Sequence, residues 1–490
     1  MDDRLLSNEE QQRGMRLLFC LPSTQISGGL KVIFQLVNQL KANGESVDVF
    51  SFAGFPKWFP LKANLIEAKD FESIDMSAYD FVLVSNAFMV PMVLPLLQTA
   101  RCILFCQDYE SYHHARGQRY EDFISDSPTF TKIYELPVPI ITISMAVQSL
   151  LKERVGRDAL YLPMGLNKEV FAPQEQKPPT EFKRVLMVGN YLMPYKGMND
   201  GFEALGKLSS EMRVQLVMAT QESRGRGVFE GLNFPIELHY CPTEERMPAI
   251  ISSCDAYCCT SWYEGLGLPA IEAFRCGVPV VSTRTFGVSD YGIDDVNLLL
   301  AQPNDPHDLY LKLRRLLSDE SLADRLRREA LKSTEQRYDW STSAKIFREH
   351  LNEIDRTYDG AGRVEPMEMQ RLLADLERDG NLTPIAVYRR FQELATALNT
   401  LTQRIRTEKH PSSAMLLELS VLRDELRSYL TNENAEYYDA FKAKYDWCQL
   451  ILSLKDNTRF SEYLELMLSR RQEREPRTAS PFSEIRYTQQ

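Results

Sequence analysis

The sequence contains little histidine and no paired cysteine motif. Its 490 residues include six histidines and nine cysteines. Cys102 and Cys106, like Cys254, Cys258 and Cys259, lack the C-x-x-C spacing of a zinc ligand pair. This pattern argues against a zinc site, and the odd, scattered cysteines predict reduced thiols that are mostly buried.

The chain also lacks an excess of positive charge. Its formal net charge is −11, which argues against nucleic acid as the main partner, because a phosphate backbone favours a basic surface. The composition, 44% apolar and 26% charged, is that of a folded, water-soluble protein. At 490 residues, two or three domains are expected.

Long hydrophobic runs are missing as well. The most apolar window, residues 81–97, is short for a membrane span and is interrupted by Pro91 and Pro95. It is better interpreted as a buried strand followed by a short helix. The polar, acidic start of the chain does not resemble a secretory signal, so the expected location is the cytoplasm, with the inner face of the membrane as an alternative.

The chain instead contains alternating apolar runs and helical patterns. The run at 15–22, a Gly-Gly turn, helical spacing that ends near Gly44, and the run at 46–52 form a βαβ pattern. The pattern restarts near residue 184, after a linker predicted at 161–179. Two doubly wound α/β halves with a ligand crevice between them are therefore predicted. The further strands are predicted at 79–86, 102–110, 138–144, 184–191, 214–220, 235–241, 255–261 and 279–283.

The last part of the chain has a different character. From about residue 364, apolar residues recur every three or four positions, at 391–405 and again at 419–429. These stripes predict an all-helical appendage. They could pack on the protein's own body, or they could form a homo-oligomer or partner interface through residues 364–490.

The most informative stretch is WYEGLGLPAIEAFRCGVPVVST, residues 262–283. Glu264 directly follows a predicted buried strand, so it is expected at the carboxyl edge of the sheet. The Gly-Leu-Gly turn lets backbone amides approach a ligand, and Pro269 suits the first position of a helix. The helix N-terminus favours an anion such as diphosphate. Glu272, predicted in the first helical turn, can accept hydrogen bonds from the hydroxyls of a ribose. Glu264 lies on the other side of the anion site, within reach of a sugar.

Residues 15 to 352 resemble the retaining GT-B glycosyltransferases, in particular the large family four. Residues 262–283 are similar to the E-x7-E motif of that family. The resemblance implies a GT-B fold with domains at 1–165 and 166–337, a crossing helix at 338–360, and the appendage at 361–490. Five further segments resemble the family in the right order: GGLKVIFQLVNQLKANGESVDVF, YLPMGLNKEVFAP, VLMVGNYLMPYKGMNDGFEAL, FGVSDYGIDDVNLLL and YDWSTSAKIFREHL.

The resemblance implies transfer of a sugar from a nucleotide-diphospho sugar to a glycan, lipid-linked or protein acceptor, with retention of configuration. No metal or other cofactor is implied. Lys196 and Glu264 take the catalytic roles, since a fixed cation stabilises charge on the departing diphosphate. The implied donor-binding residues are Gly28, Gly29, Gly189, Asn190, Lys196, Gly197, Glu264, Gly265, Leu266, Gly267, Leu268 and Glu272.

Two departures from the family pattern affect these expectations. The family usually has arginine at the position of Asn190, and Arg224 or Arg226 are the candidates to replace that charge. Many relatives have a histidine where Gln107 stands. Gln107, Asp108 and Glu110 are the acceptor-side candidates, and their spacing resembles a rhamnosyltransferase-type branch.

Three functions remain open from the sequence. The first is an active sugar transferase. The second is a glycosyltransferase-like scaffold that has lost turnover and acts through its helical appendage, which Asn190 favours. The third is a regulator that binds a nucleotide sugar without chemistry.

Overall fold

A computed structural model describes the chain from residue 14 to residue 454. Residues 1–381 and 382–490 form two compact units. Within 14–454, the residues outside the description are 23, 25, 52–55, 57, 68–73, 98–99, 115–119, 175–179, 223–225, 336–338, 358–364, 380–382, 409–410 and 429–437.

The first unit contains two fully parallel sheets. The first sheet has seven strands in the order β3-β2-β1-β4-β5-β6-β7. Its central strands are buried along nearly their whole length, which explains their continuous apolar runs. Its strands are β1 (Arg16–Leu21), β2 (Ser46–Ser51), β3 (Asn64–Glu67), β4 (Phe81–Val84), β5 (Arg101–Cys106), β6 (Ile140–Thr142) and β7 (Leu160–Tyr161).

In the part of this half that the structure describes, five α-helices connect the strands of the sheet. Helix α1 begins after Ser27, whose hydroxyl accepts a hydrogen bond from the Leu30 amide, and Gly44 follows its end with a φ of 94°. The apolar side of α1 is buried in the core, as its spacing predicts. The helices are α1 (Gly28–Ala42), α2 (Val90–Val93), α3 (Tyr120–Phe123), α4 (Pro128–Glu135) and α5 (Met145–Val155).

The second sheet has six strands in the order β10-β9-β8-β11-β12-β13. In each sheet the strand order reverses beside the first strand, which is where ligands bind in open α/β folds. The strands are β8 (Lys183–Val188), β9 (Val214–Thr220), β10 (Ile236–Tyr240), β11 (Ala256–Cys259), β12 (Val280–Thr283) and β13 (Leu299–Ala301). The helices are α6 (Met198–Leu208), α7 (Met247–Ser252), α8 (Leu268–Arg275), α9 (Pro306–Ser318) and α10 (Glu320–Glu335).

The connection between the sheets is not a free linker. β7 pairs with β6 inside the predicted linker range, and Leu162, Met164 and Phe171 are buried in the core. The many polar and proline residues of this stretch led to its interpretation as a linker, although a few apolar side chains anchor it in the core. Residues 175–179 lie outside the described part of the chain.

Two helices complete the first unit. In α11 (Trp340–Thr357), Phe347 packs against Phe19 of β1 and Phe105 of β5, so this helix returns to the first sheet. Helix α12 (Pro366–Arg378) packs against α2 and α4. The appendage predicted to start at 361 therefore begins later, because α12 belongs to the first unit.

The second unit has its own core, formed by α13 (Thr383–Glu408), α14 (Ser413–Ser428) and α15 (Tyr438–Leu454). The apolar stripes predicted at 391–405 and 419–429 lie on α13 and α14, where they pack in one core with Cys448 and Ile451 of α15. The all-helical prediction is confirmed, and the buried stripe residues require no partner chain to cover them. The stripe residue Tyr429 and the side chain of Phe391 lie outside the description.

The cysteines match the expectation of reduced thiols, since all nine are free and eight are buried. No helix among the described residues is long and apolar enough to cross a membrane.

Candidate functional site

The predicted turn and helix lie at the carboxyl edge of the second sheet, directly after β11. Gly267 precedes α8 with a φ of 88°, a conformation that favours glycine, and a Cβ there would lie 2.9 Å from the Tyr291 hydroxyl oxygen. Helix α8 begins at Leu268, so Pro269 occupies its second position rather than the first. The side chain of Leu266 is buried in the core, so only its backbone can serve a ligand.

Glu272 lies one turn further into α8 than the sequence suggested. The glutamate is the fifth residue of α8 and not part of its first turn, because the helix starts at Leu268. Its side chain is only 8% exposed. A buried carboxylate needs a partner, and Lys31 of α1 supplies one, with Nζ 2.7 Å from Glu272 Oε1.

Lys196 and Glu264 form a direct ion pair at the same edge. Lys196 Nζ lies 2.7 Å from Glu264 Oε1, and the Ser261 hydroxyl donates to that oxygen over 2.6 Å. Both charged side chains are largely buried but retain some exposure. The structure thus brings together the two residues predicted to act on the donor. It adds Ser261, which the sequence reasoning missed although it lies three residues before Glu264.

The loop that carries Lys196 is shaped by Gly197 and by the residues after β11. The Thr260 hydroxyl donates to the Lys196 carbonyl over 2.6 Å, and the Trp262 amide donates to the Tyr195 carbonyl over 2.7 Å. Gly197 has a φ of 57°, and a Cβ there would lie 2.1 Å from the Thr260 carbonyl oxygen. Only glycine permits the Lys196 loop to pack this closely against Thr260, and this packing places Lys196 beside Glu264.

Lys196 carries its charge at neutral pH. Burial disfavours the charged ammonium, but the adjacent Glu264 carboxylate outweighs that effect, so the pKa of Lys196 lies above its ordinary value. The site therefore contains a fixed cation next to a carboxylate at the start of α8.

The position of the expected arginine is neutral. The Asn190 side chain accepts from the Leu192 amide over 2.9 Å and donates to the buried Glu222 carboxylate over 3.4 Å. Gly189 has a φ of 145°, and a Cβ there would lie 2.9 Å from Met198 Cε and 3.8 Å from Lys196 Cδ. The site here contains an additional carboxylate, Glu222, which the sequence reasoning did not single out. Arg224 and the side chain of Arg226, the candidate replacements, lie outside the described residues.

Gly28 and Gly29, predicted as a turn, are the first residues of α1, and this helix start meets the second half through Gln107. The Gln107 side-chain amide donates to the Gly29 carbonyl over 3.0 Å, and a Cβ on Gly29 would lie 2.3 Å from Gln107 Oε1. On the other side, a Cβ on Gly265 would lie 2.2 Å from the Gln107 carbonyl oxygen. Gly28, the first residue of α1, has open space around its Cβ position. Three predicted site residues therefore come together at one point.

The remaining acceptor-side candidates, Asp108 and Glu110, contact different parts of the molecule. Asp108 lies against Gly265, where a glycine Cβ would be 2.9 Å from the Asp108 Cβ. Glu110 is 5% exposed, and both of its carboxylate oxygens accept from the Ala87 amide at 3.0 Å. Burial, with a smaller contribution from the Asp108 charge, raises the pKa of Glu110 well above its ordinary value. The Glu110 carboxylate is thus directed into the first half of the unit.

Comparison with solved structures defines the class of fold. The chain resembles sucrose-phosphate synthase from Thermosynechococcus elongatus, with a TM-score of 0.57 and 17% identity over 70% of this chain and 99% of that one. It also resembles HepE from Anabaena in complex with UDP-glucose, with a TM-score of 0.57 and 16% identity over 69% and 100% of the chains. The fold is GT-B, as predicted: two doubly wound Rossmann-like halves followed by a helical region.

Sequence comparison adds a family match for the second half. Residues 169–333 match the family described as "Glycosyl transferases group 1". The MMP α-(1→4)-mannosyltransferase of Mycolicibacterium hassiacum is 27% identical over 42% of this chain and 51% of its own length. The phosphatidyl-myo-inositol mannosyltransferase of Mycobacterium leprae is 28% identical over 42% and 56%. The chain spans about half the length of these curated relatives.

Proposed function

We propose that this protein transfers a hexose from a nucleotide-diphospho sugar to an acceptor hydroxyl, with retention of configuration and without a metal ion. The observation that carries the proposal is the Lys196–Glu264 pair beside the start of α8, at the carboxyl edge of the second sheet. The family match over residues 169–333 supports it, because this range contains both residues.

The proposed reaction forms a bond between the acceptor oxygen and the anomeric carbon and breaks the bond from that carbon to the diphosphate. Negative charge then grows on the leaving nucleoside diphosphate, and the proton of the acceptor hydroxyl passes to an oxygen of that departing diphosphate. The Lys196 ammonium and the amides at the start of α8 stabilise the growing charge. Glu264 accepts hydroxyl hydrogen bonds of the sugar, and Glu272 accepts those of the ribose.

A mannosyl donor is the narrower proposal. The two relatives described above are named mannosyltransferases, and the HepE complex contains UDP-glucose, a nucleotide-diphospho sugar. The acceptor class stays as expected from the sequence: a glycan, a lipid-linked molecule or a protein. Assignment to family four, the rhamnosyltransferase-type branch, a cytoplasmic or membrane-face location, and an oligomer or partner interface within 364–490 remain predictions.

One observation favours the second function, a scaffold without turnover. Asn190 replaces an expected cation, and its side chain contacts the Glu222 carboxylate. An extra carboxylate near a diphosphate would repel it and so lower the affinity for nucleotide. A protein with this function would bind nucleotide weakly and would not release nucleoside diphosphate.

The decisive experiment measures release of nucleoside diphosphate from GDP-mannose, UDP-glucose and dTDP-rhamnose by purified protein. The expected result is slow hydrolysis or transfer with GDP-mannose, retained in EDTA and lost in Glu264→Gln. Thermal stabilisation by the same donors reports binding, because a ligand of the folded state raises the melting temperature. Stabilisation without release would support the regulator or a scaffold that still binds nucleotide. Neither effect with any of the three donors would refute transfer from these donors and would leave the scaffold.

A further inference from the structure

Lys31 contacts the donor-binding edge of the second sheet although it belongs to the first half of the unit. Its ammonium lies 2.7 Å from Glu272 Oε1 and 3.0 Å from Glu244 Oε1. It also lies 4.7 Å from the centre of the Phe171 ring. Gln35, one turn further along α1, donates to the other oxygen of Glu244 over 3.1 Å. One side of α1 is thus attached to two carboxylates of the opposite half.

Other contacts between the halves end close to the same site. The Tyr109 amide donates to the hydroxyl of Tyr263, the neighbour of Glu264, over 2.5 Å. The Asp290 carboxylate accepts from the Met145 and Ala146 amides at the start of α5, over 2.8 and 3.1 Å. The two halves are therefore in direct contact around the E-x7-E segment.

Charge makes Lys31 the critical member of this set. Glu272 and Glu244 both approach the one ammonium, so they would repel each other if Lys31 were neutral. Glu272 is nearly inaccessible to water, so loss of its partner would leave a buried charge unpaired. Burial disfavours the charged ammonium, but Glu272 and Glu244 outweigh this and raise the pKa of Lys31.

We propose that Lys31 is a positioning residue that holds the Glu272 carboxylate for the nucleotide ribose and so couples nucleotide binding to closure of the two halves. Lys31 contacts Oε1 of Glu272 and so fixes the orientation of the carboxylate. The second oxygen, Oε2, can then accept a hydrogen bond from a ribose hydroxyl. The inference rests on the proposed function only for the identity of the ligand. The closure itself depends on the ion pairs alone.

Two other roles for Lys31 predict different effects of its removal on nucleotide affinity. If the ammonium competed with the ribose for Glu272, its removal would strengthen nucleotide binding. If the ion pair served stability alone, its removal would lower the melting temperature and leave nucleotide affinity unchanged. Positioning predicts weaker binding, restored by a side chain that keeps the charge.

The test measures binding of GDP and UDP by calorimetry to Lys31→Met, Lys31→Arg and Lys31→Met/Glu244→Gln. Lys207→Met is the matched control, because the Lys207 ammonium pairs with Glu203 on its own helix. Lys31→Met should weaken binding about 10- to 100-fold, as expected for a charge-assisted contact. Lys31→Arg should restore most of the affinity, and Glu244→Gln should restore part of it by removing the repulsion. Equal or tighter binding in Lys31→Met overturns the proposal.

A second measurement separates this inference from the proposed function. Hydrogen exchange of ligand-free protein should become faster in Lys31→Met at residues 28–35 and 264–275, because closure is weakened. Lys207→Met should leave those segments unchanged. If the wild-type protein binds neither nucleotide, the proposed function fails, and exchange alone then decides the closure. Unchanged exchange in Lys31→Met refutes the closure.

Discussion

Lys196 Nζ lies 2.7 Å from Glu264 Oε1, although 68 positions of the chain separate the two residues. One follows β8 and the other follows β11, and these neighbouring strands end at the same edge of the sheet. The pair therefore places a cation and a hydroxyl acceptor at one point.

Replacement of Lys196 by alanine should lower turnover by about two to three orders of magnitude, as loss of one preorganised charge contact does. Steady-state release of nucleoside diphosphate provides the measurement. Lys207→Ala, on the same half, should retain wild-type turnover. Unchanged turnover in Lys196→Ala would show that another group stabilises the leaving diphosphate.

Glu264 and Glu272 should differ in their effects. Glu272→Ala should mainly weaken nucleoside diphosphate binding, about tenfold or more, since it removes a charged hydrogen-bond acceptor of the ribose. Glu264→Ala should mainly lower kcat, because its carboxylate lies beside Lys196. Calorimetry with free nucleoside diphosphate distinguishes the two, and equal losses of affinity would contradict the division.

Gly197→Ala should destabilise the first unit by at least about 2 kcal/mol, because alanine is strained at a φ of 57° and its Cβ would meet the Thr260 carbonyl. Gly206→Ala, within helix α6 that begins directly after Gly197, is the matched control. Its Cβ would find only an ordinary contact 3.7 Å away, so it should stabilise the helix by about 0.5–1 kcal/mol. Denaturant unfolding compares the two variants, and equal stabilities would contradict the strain.

Glu110→Gln should change how stability depends on pH. The folded pKa of Glu110 is raised, so the folded state binds its proton more tightly than the unfolded state does. The stability this provides is complete below the unfolded pKa, near 4.5, and is lost as pH rises through the folded pKa.

The unfolding free energy of Glu110→Gln minus that of the wild type should therefore increase from pH 5 upward, by as much as about 1.4 kcal/mol per pH unit. Unfolding free energies measured from pH 5 to pH 8 check this. A difference that stays constant over this range would mean that Glu110 is ionised in the folded protein.

Leu401→Ala should destabilise the three-helix core of the second unit by about 2–5 kcal/mol, because Leu401 is fully buried there. Leu417→Ala on α14 is the control, since Leu417 is 68% exposed and should change stability by less than about 0.5 kcal/mol. Hydrogen exchange of α13 to α15 in the full chain compares them. Equal protection in both variants would argue against this core.

The predicted strands and helix α1 agree closely with the structure, because buried parallel strands and amphipathic helices leave strong periodic patterns. The edge strands β3, β7 and β13 were not predicted, and β7 overlaps the stretch that was interpreted as a linker. β5 ends at Cys106, before the predicted strand end at Glu110, because the Glu110 carboxylate binds the Ala87 amide and Glu110 begins a 3-10 helix.

The sequence by itself determined the two α/β halves, the helical region, and the glycines, lysine and glutamates of the candidate site. These depend on local spacing and on the edge at which each strand ends. Only the tertiary structure decided which charges meet. The Lys31–Glu272 pair joins residues 241 positions apart on different halves, and Glu110 faces inward. Such contacts depend on how helices pack across a cleft, and no local pattern in the chain encodes that distance.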